Sequence, residues 1–192
     1  VEITPEHVLK AYTLGLFPMA DRSGRIGWYS PDPRCVFELD HFYVPRTLRK
    51  TIRRGVFELR VNTAFAEVIR ACADRPEGTW ISPRIIALYT RLHEMGFAHS
   101  VESWKEGRLA GGLYGVAIGG AFFGESMFHR ATDASKVALV HLVERLRQRG
   151  YTLLDTQWST PHLARFGAVE IPREEYLRRL HAALRLNCCF AD

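Results

Sequence analysis

The sequence predicts an α+β protein with a mixed β-sheet flanked by helices. Two observations carry this. From His99 onward, turn and cap signals divide the chain into strand, strand, strand, helix, strand, helix or turn, strand, helix. That is an antiparallel run followed by a strand–helix–strand unit, and the two together make a mixed sheet. The length of 192 residues, with 47% hydrophobic and 24% charged residues, is that of one domain or one domain with a small appendage. The expected division is a helical and loop-rich appendage over residues 1–34 and the sheet domain over residues 35–192.

Each element has a local reason. Thr4 caps a helix from Pro5 to about Leu14, with proline at its first position and Glu6 and His7 merely filling the first turn. Residues 15–33 read as loop, rich in Gly and Pro but unusually aromatic, with Phe17, Trp28 and Tyr29. Cys35 to Leu39 is a candidate strand. Val44 to Arg54 is a helix ended by Gly55, and Phe57 to Val61 alternates as a strand does. Asn62 or Thr63 is the expected cap of a helix through Ala73. Ser82 and Pro83 open another, to about Met95, with Gly96 behind it. Lys105-Glu106-Gly107 joins a hairpin of His99–Trp104 and Arg108–Ala117, and Gly120–Phe128 is the next strand. Ser135 is the expected cap of a helix to Arg149. Tyr151–Asp155 and Gly167–Ile171 are strands, and Pro172-Arg173 opens the last helix, to about Leu186. This order resembles that of the N-acetyltransferase-like fold, which acyl and aminoacyl transferases share.

Composition excludes a collagen-like fibre, a coiled coil and a disordered tail. No apolar run approaches the roughly 18 residues that span a bilayer, and Val1 to Asp21 lacks the pattern of a signal peptide. A cytoplasmic location without membrane attachment is expected. Cys35, Cys72, Cys188 and Cys189 form neither a disulfide framework nor a metal-ligand spacing, so no metal is expected.

The net charge of +5 is concentrated. Arg46, Arg49, Lys50, Arg53 and Arg54 lie within ten residues without an acid, and outside them basic and acidic residues balance at 21 each. Helical spacing puts them on one face. Charge alone leaves two readings open, a polyanion-binding stripe or a solvated helix face.

Three segments carry candidate chemistry. Glu125 stands in an aromatic, Gly-rich strand, where alternation sets Glu125 and Met127 on one face and Ser126 and Phe128 on the other. It is either a paired buried acid or a strand acid facing water. Asp155 ends an apolar strand two residues before Gln157, and is either a working carboxylate at a reachable sheet end or the cap of the next turn. Trp80 at a helix entry is either a packing staple or a stacking platform for a base. The eight histidines form no catalytic triad.

Ten ordered blocks resemble the leucyl/phenylalanyl-tRNA–protein transferases of bacteria. They are GLFPM (Gly15–Met19), SPDPR (Ser30–Arg34), the basic helix, EGTWIS (Glu77–Ser82), LHEMGFAHSVE (Leu92–Glu102), GGLYGVA (Gly111–Ala117), FFGESMF (Phe122–Phe128), ASKVAL (Ala134–Leu139), LDTQ (Leu154–Gln157) and FGAVEIPR (Phe166–Arg173). They run nearly end to end.

The resemblance implies an enzyme that takes Leu, Phe or Met from aminoacyl-tRNA to the N-terminal amine of proteins beginning with Arg or Lys, creating an N-degron. It implies no cofactor, since the ester is already activated; one tRNA bound per monomer is the default expectation. It also implies site roles: Asp155 and Gln157 as a relay that binds and polarises the amine, and Glu125 as the acid fixing acceptor or aminoacyl end. Leu113, Phe122, Met127, Leu142, Leu146 and Leu154 would form the aminoacyl pocket, and Trp80 would stack on the terminal adenine. Arg46, Arg49, Lys50, Arg53 and Arg54 would hold tRNA phosphates.

Met19 stands where some relatives have Trp, and Leu142 and Leu146 where some have Phe. The runner-up is an acyl-CoA-dependent N-acyltransferase. Against it, His129–Ser135 carries Asp133 and a single basic residue where pyrophosphate would sit. A non-catalytic tRNA-binding module would leave Glu125, Asp155 and Gln157 idle.

Overall fold

The computed structural model describes residues 1–192. Helix α1 (Pro5–Thr13) begins at Thr4, whose hydroxyl accepts from the His7 amide. His7 is an active partner here, because its ring accepts from the Thr4 amide and completes a reciprocal cap. Residues 15–33, expected as loop, contain a hairpin of β1 (Phe17–Ala20) and β2 (Ile26–Tyr29). Asp21 makes its turn, accepting from the Ser23 and Arg25 amides and the Ser23 hydroxyl.

The main sheet then assembles from β3 (Arg34–Phe37), β4 (Glu58–Val61), β5 (Ala98–Lys105), β6 (Arg108–Ile118), β7 (Ala121–His129), β8 (Leu153–Gln157) and β9 (Ala168–Ile171). Its spatial order is β4-β5-β6-β7-β8-β3-β9. Every pairing is antiparallel except β7 with β8. The parallel pair needs a long crossover, which α5 (Ala134–Gln148) supplies. The α+β class and mixed sheet read from the sequence are those observed.

Helices cover both faces, which is why β6 is buried along nearly its whole length. On one face α1, α3 (Phe65–Ala73), α4 (Pro83–Glu94) and α7 (Arg173–Leu184) close over a core that includes Val8, Tyr12, Ile69, Tyr89, Phe123 and Tyr176. On the other, α5 and α2 (Arg46–Arg53) pack Leu48, Leu139, Leu142 and Leu146 against Phe37, Phe122 and Leu154. The short helix α6 (Pro161–Ala164) links β8 to β9. Tyr12 and Phe17, from the first 34 residues, lie in the same core as the sheet residues Phe123 and Leu153.

Two expected caps are supplied differently. Helix α3 has no cap from Asn62 or Thr63. Glu102 on the neighbouring strand instead ties down the residues leading into it, accepting from the Thr63 and Ala64 amides, 3.0 and 3.1 Å, and from the Thr63 hydroxyl. A carboxylate suits a helix N-terminus. Ser135 lies inside α5, whose cap position is Asp133.

Candidate functional site

The site forms where β7 and β8 part. They pair from Ala121 with Leu153 to Phe123 with Asp155 and no further. At that point β7 carries an extra residue: Tyr114 faces Ser126 while its neighbour Gly115 faces Gly124, leaving Glu125 as a bulge. Gly115 is required there, since a Cβ would lie 2.4 Å from the Phe123 carbonyl. The bulge breaks the alternation expected from the sequence. Glu125 turns to the Tyr12 side, whereas Met127 packs on the opposite, α5-side core. Between the diverging strands lies a cavity of about 240 Å³, walled by Leu113, Met127, Leu139, Leu142, Leu154 and Leu163, with Glu125, Tyr114, Thr156 and His162 also on its lining.

A chain of polar side chains runs beside this cavity. Tyr12 is hydrogen-bonded to Tyr89 and donates to Glu125 Oε1. Gln157 Nε2 donates to Glu125 Oε2 at 3.2 Å. Burial is the largest influence on the Glu125 carboxyl, pushing it up to about 8; the bonds from Tyr12 and Gln157 pull it down less than burial lifts it, and the nearby Asp155 charge adds to the rise. Glu125 therefore keeps its proton to about pH 8. Burial, reinforced by the Glu125 charge, raises the Tyr12 and Tyr89 phenols well above their ordinary range, so both stay protonated as donors.

Asp155 is not at a reachable sheet end. It is 1% exposed and is held by donors from three residues. Arg34 binds it in bidentate fashion, Nε to Oδ1 at 3.0 Å and Nη2 to Oδ2 at 2.7 Å. Tyr176 donates to Oδ2 at 2.8 Å, and the Gln157 amide to Oδ1 at 2.8 Å. The last bond is the turn cap that was the plainer reading of Asp155. It holds Gln157 at φ 69°, a left-handed conformation rare for a residue with a side chain. Asp155 thus fixes the backbone from which the Gln157 amide reaches Glu125. Arg34 is itself held by the Gly15 carbonyl at 2.8 Å and stacked against the Phe17 and Tyr176 rings.

Of the residues expected to form an aminoacyl pocket, Leu113, Met127, Leu142 and Leu154 line the cavity. Phe122 and Leu146 do not. Both are fully buried in the α5-side core. Phe122 pairs with Leu154 where β7 and β8 are still joined, before any space opens, and Leu146 lies one helical turn beyond Leu142, past the cavity wall. Leu139 and Leu163 take part in their place; Leu139 shares a helix face with Leu142, a signal present in the spacing. Arg34, Tyr12, Tyr89 and Tyr176 were not singled out by sequence reasoning, and nothing local to them announces partners so distant in the chain.

Trp80 lies in a second, adjoining depression with Met19 and Tyr29; Arg75 and Ser126 line both. The four basic residues of α2 and Arg54 behind it are exposed, and none of the five is in an ion pair. Tyr43, Arg46, Arg49, Lys50 and Arg53 line a shallow concavity there. A further depression is lined by Leu48, Lys136, Arg165 and His162; it shares Thr47 with that concavity and His162 with the cavity. Burial, with the charges of Lys136 and Arg165, lowers the His162 pKa.

The α5 N-terminus is poorly suited to a pyrophosphate. Asp133 places a carboxylate there, Ala134 and Ser135 are buried, and a Cβ on Gly111 would come within 2.6 Å of the Ala134 side chain. No group of three or more His, Cys, Asp or Glu side chains is arranged to hold a metal.

Sequence comparison identifies the relatives of this chain. Residues 36–181 match the family model described as leucyl/phenylalanyl-tRNA protein transferase, and residues 1–32 match the model of that family's N-terminal domain. A leucyl/phenylalanyl-tRNA–protein transferase of Gloeobacter violaceus is 61% identical, the match covering 99% of this chain and 98% of the relative. One from Rubrobacter xylanophilus is 60% identical over the whole of both chains. One from Herpetosiphon aurantiacus is 54% identical over 98% of each.

Proposed function

The chain belongs to the leucyl/phenylalanyl-tRNA–protein transferase family, and from that premise we propose how its site transfers an aminoacyl group. The donor is Leu-, Phe- or Met-tRNA and the acceptor a protein whose first residue is Arg or Lys, so that the product carries an N-degron. The observation carrying this reading is the Tyr12–Glu125–Gln157 chain beside an apolar cavity.

The aminoacyl side chain enters that cavity, against the apolar wall of Leu113, Met127, Leu139, Leu142, Leu154 and Leu163. Met127 adapts to linear or aromatic shapes. The terminal adenine stacks on Trp80, and α2 holds backbone phosphates without reading sequence. The acceptor amine approaches between Gln157 and Glu125. Its nitrogen bonds to the ester carbonyl carbon, the bond from that carbon to the ribose 3′ oxygen breaks, and the oxygen leaves as a hydroxyl. The amine proton passes to Glu125 in its ionised form, and Glu125 then gives a proton to the departing 3′ oxygen and is ionised again, while Gln157 orients the amine. Asp155 acts at one remove, with Arg34 and Tyr176, by fixing Gln157. Positioning a proton acceptor in this way is worth about 10²–10⁴-fold. The chain works as a monomer in the cytoplasm.

The test is transfer of labelled Leu and Phe from their tRNAs to two peptides that differ only in beginning with Arg or Glu. Label is expected on the Arg peptide alone. Equal labelling of both, or of neither, overturns the proposed acceptor.

A further inference from the structure

The cavity and the Trp80 depression meet at one cation that neither the family assignment nor the proposed chemistry uses. Arg75 follows the end of α3 and lines both spaces. Its side chain is held in place: Nη2 donates to the Met127 carbonyl at 2.6 Å and Nε to the Cys72 carbonyl at 3.3 Å. Those bonds use two of the five N–H groups of a guanidinium, and the rest have no protein partner. No carboxylate lies within salt-bridge distance of Arg75. The residue is exposed, so its charge is available to a ligand.

Resting on the donor placement proposed above, we infer that Arg75 binds the 5′ phosphate of the donor's terminal adenosine. An aminoacyl-adenosine with its side chain in the cavity and its base on Trp80 must put the ribose at the junction of the two spaces. The group on that ribose which complements a free guanidinium is the phosphodiester, an anion matched by a planar fork of donors. The exposed rim suits a phosphate better than the ester carbonyl, which must lie deeper, beside Glu125 and Gln157. Other charges face the Trp80 depression. Arg22 also lines it, but does not line the cavity and is not anchored by a hydrogen bond. Asp21 is engaged in its own turn, and Glu77 forms no ion pair. Arg75 alone is both anchored and shared by the two spaces.

The test is direct titration of adenosine and of adenosine 5′-monophosphate into the full chain, its Arg75→Ala variant and an Arg49→Ala variant. The wild type is expected to favour the monophosphate about tenfold, the scale of one charge-assisted contact. Arg75→Ala should bind both compounds alike, and Arg49→Ala should keep the preference. Equal binding of both compounds by the wild type overturns the inference. So does a preference that survives Arg75→Ala, or one lost only in Arg49→Ala, which would move the phosphate to the basic helix. Weaker binding of both compounds to Arg75→Ala with the preference intact would leave Arg75 only a clamp on the Met127 carbonyl, and also overturns it. The titration needs no turnover. Arg75-dependent preference in a protein that fails to transfer Leu or Phe would sustain this site while removing the transferase reading.

Discussion

Glu125 and Asp155 are two carboxylates a few residues from the same β7–β8 junction, and their surroundings divide their labour. Burial holds the Glu125 proton to about pH 8, against an ordinary value of 4.5. A carboxyl whose folded pKa is raised contributes stability that is fully present below the ordinary value and is lost as pH rises through the folded one. The melting temperature of the wild type should therefore fall from pH 5 to 8 relative to Glu125→Gln, which has no proton to lose. The acceptor amine also loses its proton near pH 8. If Glu125 takes the amine proton, two deprotonations govern the rate below that pH. The slope of log kcat/KM against pH should approach 2 in the wild type and 1 in Glu125→Gln; an unchanged slope would remove Glu125 from the chemistry. Asp155 behaves otherwise. Asp155→Asn leaves Arg34 charged and unpaired in the interior, at a cost of about 3–5 kcal/mol. Urea unfolding measures this, and a loss below about 1 kcal/mol would mean the Arg34 pair does not hold the junction. The sequence marked both acids as candidates through their apolar strands. It could not tell the titratable one from the locked one, because Arg34, Asp155's partner, is 121 residues away along the chain.

At the scale of elements, the helix signals were the most legible. Ser82 with Pro83 and the Lys105–Gly107 turn fix α4 and the β5–β6 hairpin by local chemistry, and both are found where that chemistry puts them. The β1–β2 hairpin was missed because its four-residue strands contain Pro18 and Gly27, which read as breakers. The anchor of the α3 entry was missed because it arrives from Glu102 on another element. The β7 bulge was invisible for a related reason: the mismatch between β6 and β7 exists only once they pair. Two predictions belong here. Helix α2 carries charge but no ion pairs, so Arg49→Ala, Lys50→Ala and Arg53→Ala together should change stability little. They should raise KM for aminoacyl-tRNA and reduce its salt slope by about 0.7–0.9 for each phosphate no longer neutralised. Transfer from an aminoacyl-adenosine should not change, and equal loss with both donors would refute a tRNA-binding role. On α5, Leu142→Phe fills the cavity wall and should depress transfer of Phe more than of Leu. Leu146→Phe overpacks the core and should cost about 1–3 kcal/mol of stability without changing the Phe/Leu ratio.

The whole molecule raises the question of whether residues 1–34 are an appendage. Composition suggests a boundary near residue 34, and the two family models also meet there. The packing runs across it. Val8, Tyr12 and Phe17 are each 1% exposed or less, within the core that also contains Tyr89, Phe123 and Tyr176. Tyr12 reaches Glu125, and the Gly15 carbonyl anchors the guanidinium that holds Asp155. Removing the segment would uncover those aromatics and strip a partner from each carboxylate of the site. An aromatic core face left open to water loses about 25 cal/mol per Å² of the apolar burial that sustained it, and a domain stable by about 5–15 kcal/mol cannot lose several such side chains and remain ordered. The full chain should therefore unfold in one transition, with far-UV and near-UV circular dichroism coinciding. A chain of residues 35–192 should retain far-UV signal but lose near-UV signal and bind a hydrophobic dye, as a collapsed state without fixed packing does. A sharp, cooperative transition in that shortened chain would show that the segment is an appendage after all, and would leave Tyr12 and Gly15 as later additions to a site that stands without them.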